Sequence, residues 1–128
     1  MKKLHCYYAH DMYLYNTQQE KRDIQLLELL GFKVINPNTK KVQEDITNLK
    51  KVHGDDFDYM KYFHDIIYNC DVVAFRSIPN GHIPAGVGNE VTYAILEKIP
   101  VFELPSSIDA RIMSIDFTRE YLKEIGQR

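Results

Sequence analysis

Short apolar runs alternate with amphipathic stretches along the chain, and the two periods predict strands and helices in turn. Leu-His-Cys-Tyr-Tyr-Ala, residues 4 to 9, reads as a short buried strand. The loop from His10 to Asn16 follows. Thr17-Gln18-Gln19-Glu20 then has the form of a capping box, a hydroxyl with a carboxylate three residues on. The helix it opens runs through Leu26, Leu27, Leu29 and Leu30, and Gly31 stops it. Phe32 to Ile35 is a second strand, closed by Asn36-Pro37-Asn38. Residues 40 to 56 are polar and fit either a short helix or a loop. Phe57, Met60, Phe63, Ile66 or Ile67, and Cys70 recur at helical spacing. Asp71 to Phe75 is the most strand-like segment and should be central. A loop carrying Pro79, Gly81, Pro84, Gly86 and Gly88 comes next, then a helix over 89 to 97 and a strand over 99 to 104. Ile112 to Ile115 is expected as a last strand, and Thr118 to Ile125 as a C-terminal helix ending at Gly126.

Strand, helix, strand in this order favours right-handed parallel crossovers. The fold class expected is α/β, a Rossmann-like doubly wound parallel sheet of about five strands flanked by helices. The 128 residues suit a single domain, and 45% apolar content is enough to close one core. A formal net charge of -2 offers no basic face for a nucleic-acid polymer. No apolar run approaches the roughly 20 residues that span a bilayer. Met1-Lys2-Lys3 is basic, but His5, His10 and Asp11 behind it do not make a signal peptide. Cys6 and Cys70 lack any ligand or pairing pattern and read as free thiols, which places the protein in the cytoplasm. No metal-ligand spacing, P-loop, dinucleotide fingerprint or nucleophile elbow is present, so no metal and no cofactor are expected. His53, Asp55 and Asp56 read as a solvated turn, and His64-Asp65 lacks the further ligands a metal dyad needs.

Ligands of open α/β sheets sit beyond the carboxyl ends of the strands. Three loops leave such ends, and the one from Arg76 to Gly88 has the most unusual composition. Its glycines allow close backbone approach, and it is expected to deliver Glu90 into the first turn of a helix, where free N–H groups and the dipole favour anions. On spacing alone the simpler reading of Glu90 is an ordinary first-turn carboxylate stabilised by the helix dipole.

Asp71-Val72-Val73-Ala74, Gly86-Val87-Gly88-Asn89-Glu90-Val91-Thr92-Tyr93-Ala94 and Lys98-Ile99-Pro100-Val101 together resemble the core of the nucleoside 2-deoxyribosyltransferase superfamily, which includes the 2'-deoxynucleoside 5'-monophosphate N-hydrolases. Cys6-Tyr7-Tyr8-Ala9 is similar to that family's first strand, which carries an active-site tyrosine. The resemblance implies retaining N-glycosidic chemistry. A glutamate attacks the anomeric carbon, the base leaves, and the sugar passes to water or to another base. By position the nucleophile would be Glu90, oriented by Tyr7. The resemblance also implies a small nucleoside or nucleotide as ligand, and a homodimer or higher homo-oligomer in which a neighbour's C-terminal segment completes the pocket.

Two departures matter. Eight residues before Asp71, where the family commonly has an aspartate, stands Phe63. Six residues before Glu90, where the transferases have an aspartate and the monophosphate hydrolases a serine, stands Pro84. Asp65 is close in sequence to Phe63, but two helical residues rotate it by about 200°. The acid that protonates the departing base is therefore missing or supplied from elsewhere. His10, Asp11, His64, Asp65 and His82 are the candidates, with His10 and Asp11 preferred because they leave the first strand at its carboxyl end. Gly86, Gly88, Asn89, Arg76, His82 and Tyr8 are the expected substrate-binding residues. Arg76 would meet a phosphate or carboxylate, and the tyrosines would stack on a base. Asn80 should serve a turn with Gly81. The alternative is a catalytically silent module on the same fold that binds a nucleotide or nucleotide-derived ligand. A ribonucleotide glycosidase like the cytokinin-activating phosphoribohydrolases ranks below both.

Overall fold

A computed structural model describes residues 2–105 and 112–127. Four strands, β1 (His5–Ala9), β2 (Lys33–Ile35), β3 (Val72–Phe75) and β4 (Val101–Glu103), pair in the order β2-β1-β3-β4. All pairings are parallel, with Cys6 opposite Val34 on one side and Val72 on the other. The helices are α1 (Gln18–Leu29), α2 (Lys40–His53), α3 (Tyr59–Tyr68), α4 (Ala85–Leu96) and α5 (Ile115–Glu124). The protein is thus α/β, a four-stranded parallel sheet flanked by helices.

The period of two along β1 and β3 sorts the core into two layers. Cys6, Tyr8, Val72 and Ala74 face one way and pack with Leu27 of α1 and with Leu104. Tyr7, Ala9 and Val73 face the other way and pack with Ile67 of α3 and Val87 and Ala94 of α4. Cys6 and Cys70 are both buried free thiols.

Local chemistry explains most boundaries. Thr17 accepts the Glu20 N–H as N-cap of α1, and Gly31 takes a left-handed φ of 99° past its end. The polar stretch after β2 is a regular helix. Thr39 caps it, Lys50, Lys51 and His53 fill its last turn, and Gly54 ends it at φ 60°. Asn80 Oδ1 accepts the His82 N–H in the turn around Gly81.

Three sequence expectations need correction. The described sheet has four strands rather than about five. Residues 112–114 have no regular structure, and Ile115 opens α5 behind its cap Ser114, because a hydroxyl followed by Ile115, Phe117 and Tyr121 suits an amphipathic helix better than a strand. Finally, α4 starts at Ala85, not near Asn89. Pro84 is its N-cap residue, so Gly86, Val87 and Gly88 are helical and Glu90 lies in the second turn. None of these glycines needs a positive φ.

Candidate functional site

The strand order reverses between β1 and β3, since the chain steps outward from β1 to β2 and then crosses to β3. Such a switch point opens a crevice beyond the strand ends. A cavity of about 420 Å³ lies there, within the range of small-ligand pockets, ~300–1,000 Å³. Tyr7 and Glu90 line it together with Asp11, Tyr15, Lys50 and Phe63. The helix α2 supplies a wall through Gln43, Ile46, Thr47 and Lys50, none of which the sequence pattern marked.

Glu90 is the unusual group. Its side chain is brought inward because α4 packs Val87 and Ala94 against the sheet, and Glu90 shares that face at helical spacing. It is 8% exposed, and its Oε2 has no hydrogen-bond partner among the described residues. Tyr7, fully buried on β1, is equally without a partner for its hydroxyl. The two groups are close enough to shift each other's proton affinity, yet the geometry does not close a hydrogen bond between them. Burial pushes the Glu90 carboxyl up to about 7, against a smaller opposing pull from Tyr7. Burial, then the Glu90 charge, push the Tyr7 hydroxyl well above its usual range.

His10 is also in the pocket wall, but its ring is already committed. Nε2 lies 2.7 Å from Glu20 Oε2, Nδ1 lies 3.0 Å from the Tyr8 carbonyl, and the ring stacks on Tyr8 at 3.8 Å. Both nitrogens are therefore engaged by groups outside the pocket lining. Asp11 lines the pocket while its Oδ2 accepts the Tyr13 N–H as a cap on the 3-10 turn Met12–Leu14.

Glu20 was legible only as a capping-box acid. Its carboxylate instead accepts from the Asn16 backbone N–H and from the Asn38 amide as well as facing His10. Burial would raise its carboxyl, but the bonds from His10, Asn38 and Asn16 outweigh that and hold it below the usual range. One side chain thus ties the loop after β1 to the loop after β2.

Several predicted contacts fall elsewhere. Arg76 is not a free cation. Its Nε and Nη2 each donate to Asp23 at 2.6 Å, and Nη2 also donates to the Pro105 carbonyl at 2.9 Å. Tyr8 faces the same buried acid, donating to Asp23 at 2.5 Å on the sheet face opposite Tyr7. Asn89 pairs with His64 at 2.6 Å, and His64 stacks on Tyr93, away from the cavity lining. Gly88 sits on that outer side too, whereas Gly86 lines the cavity and a Cβ there would meet open space. His82 is exposed and outside the lining. Asp65 pairs with Lys61 at 3.5 Å, while Phe63 enters the pocket.

No group of three or more His, Cys, Asp or Glu among the described residues is placed to hold a metal. No described helix is long and apolar enough to cross a membrane. No protein-family model, curated protein or solved structure matches the chain. The class these observations define is an α/β domain with a switch-point pocket floored by one desolvated carboxylate.

Proposed function

We propose that this Rossmann-like chain cleaves or transfers at the N-glycosidic bond of a nucleoside or nucleotide, with Glu90 as nucleophile, in the manner its sequence resemblance to the nucleoside 2-deoxyribosyltransferases implies. The observation that carries the reading is a buried carboxylate with an unmet oxygen, beside the tyrosine of the first strand, in a pocket of nucleoside size. A desolvated carboxylate is a better nucleophile toward a developing oxocarbenium ion than a hydrated one, and its charge is drawn to that positive carbon. Tyr7 keeps its proton and turns its hydroxyl toward the carboxylate as substrate settles. Pro84 gives the first turn of α4 no side-chain cap, so N–H groups beside Gly86 in the cavity wall are left for a ligand. A second copy of the chain suits the apolar side chains that α5 exposes, Ile115, Phe117 and Tyr121 among them.

The test is release of free base from a panel of nucleosides and nucleotides by purified protein. Glu90→Gln should reduce release by roughly a thousandfold or more with the far-ultraviolet circular dichroism unchanged. Activity should rise with pH through about 7, since only the ionised carboxyl attacks. Release that survives Glu90→Gln would dispose of the nucleophile assignment.

Phe63 in the pocket, where the family has an acid, favours a second reading: a silent nucleotide-binding module. It predicts a ligand-induced rise in melting temperature that persists in Glu90→Gln, with the ligand recovered intact.

A further inference from the structure

A neutral purine or pyrimidine leaves a sugar readily only when a proton reaches the base in the transition state. Apart from Lys50, whose ammonium lies against the Tyr59 ring 5.0 Å from its centroid, the described pocket offers poor donors for that step. Both His10 nitrogens are held by Glu20 and the Tyr8 carbonyl, and Asp11 is engaged as a cap. Tyr15, also in the wall, is pushed up to about 12 by burial and then by the Glu90 charge, and so holds its proton firmly. Phe63 stands in the lining as a hydrocarbon.

The same wall is well made for a cation. Glu90 is nine-tenths buried with a free oxygen, and no cation among the described residues pairs with it. Tyr15, Tyr59 and Phe63 line the same cavity with their aromatic rings, and Tyr59 shows the affinity of such a face for positive charge by carrying the Lys50 ammonium 5.0 Å from its centroid. A buried carboxylate without a counter-charge is costly, and a ligand bringing positive charge relieves that cost.

Resting on the glycosidic reading above, we infer that the substrate is an N-glycoside whose base already bears a fixed positive charge, an N-glycosyl pyridinium of the nicotinamide ribosyl class. Such a base needs no proton to leave. The bond between the anomeric carbon and the ring nitrogen breaks with its electron pair going to nitrogen, which discharges the ring and yields neutral nicotinamide. The anomeric carbon forms its new bond to a Glu90 oxygen. Water then adds its oxygen to that carbon, the carboxylate departs with the electron pair of the ester bond, and the surplus water proton goes to solvent. The sum is one nicotinamide, one free sugar and one proton per turnover. The missing acid is then a matter of substrate choice rather than lost activity.

The experiment measures base release by chromatography from nicotinamide riboside and nicotinamide mononucleotide in one arm. The other arm holds inosine, guanosine monophosphate and their 2'-deoxy forms. Release of nicotinamide at least about tenfold faster than any neutral base, with one proton liberated per nicotinamide and loss of both in Glu90→Gln, is the expected result. Neutral bases released as fast or faster would overturn the pyridinium assignment and leave the glycosidic reading standing. No release in either arm, from protein shown folded by circular dichroism, would overturn both. The riboside and mononucleotide arms decide whether the sugar carries a phosphate.

Discussion

Two carboxylates lie buried on opposite faces of one sheet, and they are treated in opposite ways. Asp23, 2% exposed, is saturated: Arg76 grips both its oxygens, Tyr8 donates to one and Gln19 to the other. Burial alone would lower the Arg76 proton affinity, and Asp23 more than reverses it. Glu90, nearly as buried, has an oxygen with no partner and a carboxyl raised to about 7. A fully paired buried charge holds structure together, and an unpaired one marks where something else must bind or react. The arginine that looked available for a ligand is the one that structure consumed.

The largest effect that would test this contrast is at the saturated acid. Asp23→Ala strands Arg76 and should destabilise the domain by about 3–5 kcal/mol in urea unfolding. Adding Arg76→Met should cost clearly less than the sum of the two single changes. Additive losses would mean that the pair is not a coupled unit.

At the open acid the sign reverses. The folded protein keeps the Glu90 proton up to about pH 7, whereas the unfolded chain releases it near the ordinary carboxyl value of 4.5. The folded state therefore binds more protons between those values, and its stability falls as pH rises across that window, then levels off. Replacing the acid by its neutral isostere removes that loss, so Glu90→Gln should be more stable than the parent by about 3 kcal/mol at pH 8 and near parity at pH 4. Equal melting temperatures of the two proteins at pH 8 would contradict the desolvation of Glu90.

Glu20 is intermediate, buried and paired, and one contact removed from the pocket through His10. Glu20→Gln keeps its shape and weakens its charge-assisted bonds, so a loss of about 1.5–3 kcal/mol is expected. Faster amide exchange in the loop after β1 should accompany it. Its stabilisation belongs to pH above the carboxylate range and fades as acid protonates it. The smallest effect is at Gly86, a helical glycine whose added Cβ meets nothing within 4 Å. Gly86→Ala should stabilise the helix by about 0.5–1 kcal/mol, while the methyl intrudes on the cavity and weakens ligand binding. A gain in both would show that Gly86 is not part of the ligand surface.

Much of the fold was legible because its cause is local. Apolar runs, Thr17 and Gly31 placed β1, α1, β2, β3 and β4 to within a few residues. The stretch that became α2 was left ambiguous because polar residues outnumber the apolar Val42, Ile46 and Leu49 that recur along it at helical spacing, and none of its residues is fully buried. The start of α4 was placed too late because Gly86 and Gly88 read as turn residues. In the fold, their weak helix propensity is overruled by the packing of Val87 and Ala94 on the sheet. The expected strand over 112 to 115 failed for the opposite reason, a good N-cap at Ser114.

By itself, then, the sequence determined the alternation of strands and helices, the parallel connections, a tyrosine on the first strand and an acid on the helix after the central strand. These follow from period, capping and turn chemistry, which act over a few residues. Only the tertiary structure decided which polar side chains find partners. Arg76 lies 53 residues from Asp23, and Glu20 lies 18 from Asn38. Whether a buried charge is quenched or left open depends on what the sheet brings across from distant segments, and no local pattern encodes that.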